Sequence, residues 1–212
     1  MDIGPLSVVT ALLAVGTGRL ARLVARRRNP LLTGTLVAVV VATGLAATVE
    51  WRHQWVQAEA TRVVRALSAD PSSRATCQRF SGDLTDISQH AGFVSWDDAG
   101  TARLRRAVCR DLGDWILSGS GEPTEAQLVA VHVLTHEAMH VAGDRIESST
   151  ECSAVQHDAR AAELLGASPQ VAAAMARQYY LTVYPRMPDE YRSGSCVEDG
   201  ALDLTPRDGS FP

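Results

Sequence analysis

The run Leu128-Val129-Ala130-Val131-His132-Val133-Leu134-Thr135-His136-Glu137-Ala138-Met139-His140-Val141-Ala142-Gly143 decides how this chain is read. It is apolar and helix-like, and residues four apart on a helix share a face, so His136 and His140 can grip one metal ion. Glu137 then projects beside the open coordination position, where a carboxylate can take a proton from water. Upstream, Thr124 caps the helix, with Pro123 before it and Gln127 three residues later. Downstream, Gly143 can take the left-handed conformation that ends a helix and lets the chain turn back. The bland alternative is an amphipathic core helix whose His and Glu face solvent or are satisfied internally.

A catalytic zinc site uses three protein ligands. After Gly143 the chain reads Asp144-Arg145-Ile146-Glu147-Ser148-Ser149-Thr150-Glu151-Cys152-Ser153-Ala154. A second helix returning antiparallel brings Glu147 and Glu151, one turn apart, near the two histidines. One can bind metal, and the other can hydrogen-bond a ligand imidazole and fix its orientation. Hairpin geometry alone slightly favours Glu151, which lies deeper along the return helix and opposite the midpoint of His136 and His140.

The pattern His136-Glu137-x-x-His140 is the H-E-x-x-H signature of zincin-type zinc metallopeptidases. Followed by Glu147-x-x-Thr150-Glu151-x-x-Ala154, it resembles the gluzincins. That resemblance implies Glu147 as the third zinc ligand and Glu151 as its supporter. The spacing departs from the family, because only six residues separate His140 from Glu147. Short spacing is similar to the metzincin pattern H-E-x-x-H-x-x-G-x-x-H, which Gly143 fits, but Ile146 stands where that third His would be. More loosely, the layout resembles membrane-tethered actinobacterial proteins with H-E-x-x-H and a later T-E-C, here Thr150-Glu151-Cys152. The similarity covers mainly residues 128–160, with an echo at Cys196 and Gly200-Ala201-Leu202-Asp203-Leu204. It implies a zincin-like fold and says nothing about substrate.

Structural uses compete for these residues. Asp144 with Glu147, or Ser148 with Glu151, would each make a capping box. His132, one turn before His136, reads as a neighbour of the site or a buried, hydrogen-bonded histidine, and His157 as a surface residue. Tyr179, Tyr180, Tyr184 and Tyr191 follow the site. A phenol could donate to an oxyanion, but no spacing rule selects one of them, and packing is the simpler reading. Arg145 reads as an exposed turn residue rather than a contact for a substrate carboxylate.

The 212-residue chain suffices for one ordinary domain plus an anchor. All 20 basic residues are Arg, which with the Ala and Val content suggests a high-GC bacterial genome. Residues 1–50 hold five Arg against Asp2 and Glu50, leaving 15 Arg against 22 acids, a balance of −7, in the remainder. An acidic body argues against nucleic-acid binding. Leu31 to Val49 is a nineteen-residue apolar run without charge, long enough to cross a bilayer core of about 30 Å. Arg19, Arg22, Arg26, Arg27 and Arg28 precede it and belong on the cytoplasmic side, while Trp51 and Trp55 suit the far interface. Ile3 to Gly18 is a shorter apolar stretch, read as a first span in a helical hairpin. The span is too long for a signal-peptide core, and no clear cleavage site follows. Residues 50–212 are therefore expected outside the cytoplasm, in contact with the bilayer only through the anchor at 1–50.

Four cysteines, Cys77, Cys109, Cys152 and Cys196, all fall in that body and read as two disulfides. Cys77–Cys109 with Cys152–Cys196 is the expected pairing, the second pinning the C-terminal tail over the metal site. Residues 50–68 read as a helix continuing from the span, broken at Asp70-Pro71. Ser88 to Trp96 reads as a short strand or an edge over the cleft. Thr101 to Leu117 reads as a helix with Leu104, Val108, Leu112 and Trp115 on one side. Ala154–Leu165 continues the return helix to Gly166, Pro169–Tyr184 forms another, and the tail from Gly194 is irregular.

The expected fold is mainly α: a transmembrane helix or hairpin, then a small helical zincin-like domain with at most a small sheet. The expected activity is zinc-dependent hydrolysis of a peptide or protein. His136, His140 and Glu147 or Glu151 would hold Zn²⁺, with Glu137 as general base. The competing expectation is a non-catalytic scaffold or partner-binding membrane protein on the same fold.

Overall fold

The computed structural model describes residues 5–27, 30–79, 91–209 and 211–212. Among these the chain is mainly α, with six α-helices and one small sheet. By internal contacts it divides into residues 1–55 and 56–212.

Helix α1 runs Pro5–Arg27 and α2 runs Pro30–Ser68. Both are long and apolar enough to cross a membrane. Their large apolar side chains, including Leu12, Val15, Val37, Val41 and Leu45, are exposed, as expected of helices apolar on every side. Thr17, Thr35, Thr43 and Thr48 each return their hydroxyl hydrogen to a carbonyl three or four residues earlier. Such bonds leave few polar groups in need of water. The Trp51 and Trp55 rings stack with centroids 6.0 Å apart.

In residues 56–212 the last turns of α2 bury Val56, Ala60, Val63 and Val64. Thr61 links to the first strand by accepting from Ala75 N and donating to its carbonyl. Three strands follow: β1 (Arg74–Cys77), β2 (Gly92–Val94) and β3 (Thr101–Leu104). Their order is β1-β3-β2, with β3 parallel to β1 and antiparallel to β2. Gly92 pairs with Leu104 and Val94 with Ala102, which leaves β2 as an edge strand.

Two expectations are corrected here. The segment Thr101–Leu104 is strand rather than helix, and helix α3 spans Arg106–Leu117. Its backbone finds partners on both sides in β1 and β3's other neighbour β2, so sheet pairing overrides the helical spacing. Arg105, extended at φ −63° and ψ 153°, is the junction. Leu104 is still buried with Val108, Leu112 and Trp115. At the far end, α6 spans Pro169–Thr182, with Tyr184–Arg186 in a separate 3-10 turn. The strand expected within Ser88–Trp96 is β2 in its described part; residues 88–90 lie outside the described residues.

Helix α4 (Glu125–Val141) is the centre of this unit. It packs against α3, β2, β3, α6 and the return helix α5 (Glu147–Leu164). Thr124 and Gln127 form the capping box at its start. Gly143, at φ +110°, makes the turn at its end, with its N–H bonded to the His140 carbonyl. Because α4 is covered over most of its surface, its histidines and Glu137 are buried along with Leu128, Val131 and Leu134. Small residues on α5, Ala154, Ala161 and Ala162, let it lie close to its neighbours. Disulfides join Cys77 to Cys109 and Cys152 to Cys196, as the sequence reading paired them. The first ties β1 to α3 and the second ties α5 to the C-terminal tail.

Candidate metal centre

His132, His136 and His140 form one stripe on α4 at four-residue spacing. Facing them, α5 supplies Glu147, Glu151 and Asp158. The two helices run antiparallel, so descending the α4 stripe climbs back along α5. His132 Nδ1 lies 2.8 Å from Asp158 Oδ2, and its Nε2 lies 3.0 Å from Glu151 Oε2. His136 Nδ1 lies 2.9 Å from the same Glu151 oxygen. His136 Nε2 and His140 Nε2 lie 3.2 and 3.4 Å from Glu147 Oε2, and 3.0 Å from each other.

Neither glutamate is used for capping. Ile146 is the N-cap of α5 and makes no side-chain cap bond. Asp144 closes the turn instead, accepting from Ile146 N–H and the Ser149 hydroxyl. The turn is short, so the first residue of α5 is already level with His140. That puts Glu147 opposite the gap between His136 and His140, and Glu151 one turn deeper, between His132 and His136. Simple hairpin geometry slightly favoured Glu151 opposite the midpoint of His136 and His140; the abrupt start of α5 at Glu147 shifts the register by one turn.

The hydrogen bonds fix both imidazole tautomers. His140 Nδ1 sits 2.8 Å from the Asp144 carbonyl oxygen, which can only accept, so Nδ1 carries the hydrogen. His136 Nδ1 donates in the same way to the Glu151 carboxylate. With both rings neutral, the two Nε2 atoms then present lone pairs, and a third acceptor, Glu147 Oε2, joins them. Three such atoms repel one another unless a proton or a cation lies between. Ligands about 2.0–2.2 Å from one ion in tetrahedral arrangement lie about 3.3–3.6 Å apart, close to the 3.0–3.4 Å seen here. The group His136, His140 and Glu147 could therefore hold a metal ion.

Electrostatics sharpen this picture. Hydrogen bonds from His136, and the charge of both histidines, hold the half-buried Glu147 carboxyl below its usual value in spite of burial. Burial works against a charged His136, but its bonds to Glu147 and Glu151 outweigh it and, without a cation, push the imidazole up to about 9. Glu151 is 1 % exposed; burial opposes its charge, yet His132 and His136 hold it well below the carboxylate range. Glu137 behaves differently. Burial pushes its carboxyl up to about 7, and Oε2 is buried with no hydrogen-bond partner among the described residues. A buried acceptor left unsatisfied is costly, and sites that take or give protons are where such groups occur.

Glu137 faces a cleft of about 160 Å³ lined by Gly92, Val94, His136, His140, Glu147 and Tyr191. A second cavity of about 460 Å³, lined in part by Val129, Val133 and Val183, shares Gly92, His136, Glu137 and Tyr191 with it. The edge strand β2 thus forms one wall, as expected of Ser88–Trp96 from sequence. Of the tyrosines, Tyr179 donates to Glu151 Oε1 at 2.8 Å and its ring stacks on His132 at 3.6 Å. Tyr180 and Tyr184 donate to the carbonyls of Cys196 and Ser193. Tyr191 alone among them lines the metal cleft.

The sequence reading brought together His136, Glu137, His140, Glu147 and Glu151, and placed His132 as a buried, hydrogen-bonded neighbour. It missed Asp158, eleven residues after Glu147 and so on the same face of α5, a signal that was available. It also missed Tyr179, which only the packing of α6 selects. Cys152 is in a disulfide and His157 is half-buried, bonding the Ser153 carbonyl. Compared with protein-family models, curated proteins and solved structures, the chain matches none, so the site is argued from its own geometry.

Proposed function

We propose that this chain is a membrane-anchored, zincin-like metallopeptidase whose catalytic body, residues 50–212, lies outside the cytoplasm. The observation that carries the reading is the convergence of the His136, His140 and Glu147 donor atoms beside a buried, unpartnered Glu137. In this reading those three residues hold Zn²⁺, and Glu151 orients His136 from behind. Two imidazole nitrogens and one carboxylate suit zinc and leave a coordination position open. A divalent ion there supplies Lewis acidity, making water more acidic and polarising a peptide carbonyl.

The residues of the chain do the rest. Glu137 takes a proton from water in the cleft and delivers it to the leaving amine. A carboxyl near pH 7 in affinity can do both, and burial has moved Glu137 to about that value. Gly92 lets the backbone of β2 approach Glu137, which restricts the carboxylate to the cleft. The cleft beside Glu137, and the lack of any ion pair to it among the described residues, favour hydrolysis over a non-catalytic scaffold.

Three observations support this location. Two apolar helices are each long enough to span, and the intervening Arg-rich segment suits the cytoplasmic face. Two disulfides suit an oxidising compartment. The test is Glu137→Gln in the full chain. It is expected to keep its metal and lose peptide hydrolysis by about 10²–10⁴-fold. Undiminished hydrolysis in that variant removes the mechanism.

A further inference from the structure

A buried polar cluster lies behind the metal centre, and the proposed reaction does not use it. His132, Asp158, Glu151 and Tyr179 are each at most 3 % exposed. Both nitrogens of His132 face carboxylate oxygens, Asp158 at 2.8 Å and Glu151 at 3.0 Å. One face of the ring lies on Tyr179, with planes 13° apart. Glu151 receives three donors: His132 and His136 on Oε2, and the Tyr179 hydroxyl on Oε1.

We propose that His132 is a positioning residue for the metal centre, holding Glu151 against His136 and so fixing how His136 presents its Nε2. This rests on His136 being a metal ligand.

The chemistry argues for it in two steps. First, the cluster is hydrogen-bonded and is not a second metal site. His132, His136 and Glu151 are close enough to share an ion. However, the Nε2–Oε2 and Nδ1–Oε2 separations of 3.0 and 2.9 Å fit N–H donors sharing one carboxylate oxygen, and a neutral His136 that gives Nε2 to an ion keeps its hydrogen on Nδ1. His136 Nδ1 is committed to that bond when its Nε2 faces the cation. Second, the cluster is a poor way to build a core. Desolvating carboxylates and an imidazole is costly, and apolar residues of similar volume pack as well or better. What it does supply is direction. With its three donors Glu151 has one orientation, and Tyr179 and Asp158 limit His132 to one as well. The chain Asp158–His132–Glu151–His136 thus joins α5, α4, α5 and α4 in turn, with α6 closing it through Tyr179.

The test uses the full chain in detergent with His132→Gln and Tyr179→Phe. Zn²⁺ affinity is read by competition with a chromophoric chelator, and site geometry by the visible absorption of the Co²⁺-loaded protein. Loss of a partner that orients a ligand histidine typically weakens metal binding about 10–100-fold. His132→Gln is expected to fall in that range, still binding one ion, with shifted Co²⁺ bands at full occupancy. Tyr179→Phe deletes one hydroxyl and keeps the stacked ring. It is expected to shift the bands in the same direction with a smaller loss of affinity, and it carries the test if His132→Gln does not fold. Wild-type affinity within twofold and superimposable Co²⁺ spectra in the folded variants overturn the proposal. A wild-type chain that binds neither ion removes the metal reading itself, and this inference with it. Wild-type binding with indifferent variants removes only the role of His132.

Discussion

Gly92 offers a perturbation that leaves every proposed ligand untouched. A Cβ at that position would lie 2.8 Å from both Cγ and Oε1 of Glu137 and 3.0 Å from Cδ. Carbon atoms rest about 3.5–4.0 Å apart, so the added methyl is roughly 0.7–1.2 Å too close to Cγ. Cγ is near the backbone, and swinging the carboxylate aside does not clear the overlap. Either Glu137 leaves its rotamer, at about 0.5–1.5 kcal/mol, or β2 moves off α4. Overpacking of this kind costs about 1–3 kcal/mol in total. Gly92→Ala is therefore expected to lose about 1–3 kcal/mol of stability by denaturant titration, to bind one metal ion as before, and to lose about 10²–10⁴-fold in peptide hydrolysis as the base is displaced. All three quantities can be measured on one preparation. Full hydrolysis at unchanged stability would mean that Glu137 and the edge strand are not in contact, and the account of how the base is held would fail.

Four further outcomes test the roles assigned here. Glu147→Gln should strip the metal with little change in stability, because Glu147 is half-buried. Glu151→Gln removes one of the two carboxylates that face His132 in a sealed site and leaves Asp158 as the other, and should cost about 1.5–3 kcal/mol of stability; metal lost from a folded Glu151→Gln chain but kept by Glu147→Gln would reverse the assignment. At pH 7 a His136 imidazole raised to about 9 carries a proton that a cation must displace, so affinity should fall about tenfold for each pH unit below 9, per proton displaced. Calorimetry in buffers of different ionisation enthalpy should register that release, and equal affinity at pH 6 and pH 8 would contradict it. Replacing Cys152 and Cys196 together by Ser opens a loop with a sequence separation of 44; chain entropy puts the loss at about 4 kcal/mol, and an unchanged denaturation midpoint would argue against the tail being stapled to α5.

Much of this arrangement was written in local patterns. The capping box at Thr124 and Gln127, the Gly143 turn and the four-residue spacing of the histidines each dictate geometry over one or two turns, and all three took the form expected. The cysteine pairing followed from position along the chain. What sequence could not settle depended on register between distant elements. Whether Glu147 or Glu151 faced His136 and His140 hinged on where α5 begins, and nothing in the sequence from Asp144 to Ser149 sets that start uniquely. The strand at Thr101–Leu104 has no alternating pattern strong enough to outvote the helical spacing that follows it; its partners, β1 and β2, decide the matter from 27 residues upstream in the pair Arg74–Thr101 and 12 upstream in the pair Gly92–Leu104. Tyr179 reaches Glu151 from α6, a contact that no spacing rule within either helix encodes.

The central claim is that His136, His140 and Glu147 bind a single divalent cation. Zinc content together with zinc X-ray absorption on the purified full chain tests it most directly. The account predicts one zinc per chain, two imidazole nitrogens and only oxygen otherwise, at about 2.0–2.2 Å, with the metal lost in His136→Ala and in His140→Ala. A chain that purifies and reconstitutes without metal, or that keeps full occupancy after both histidines are replaced, contradicts it.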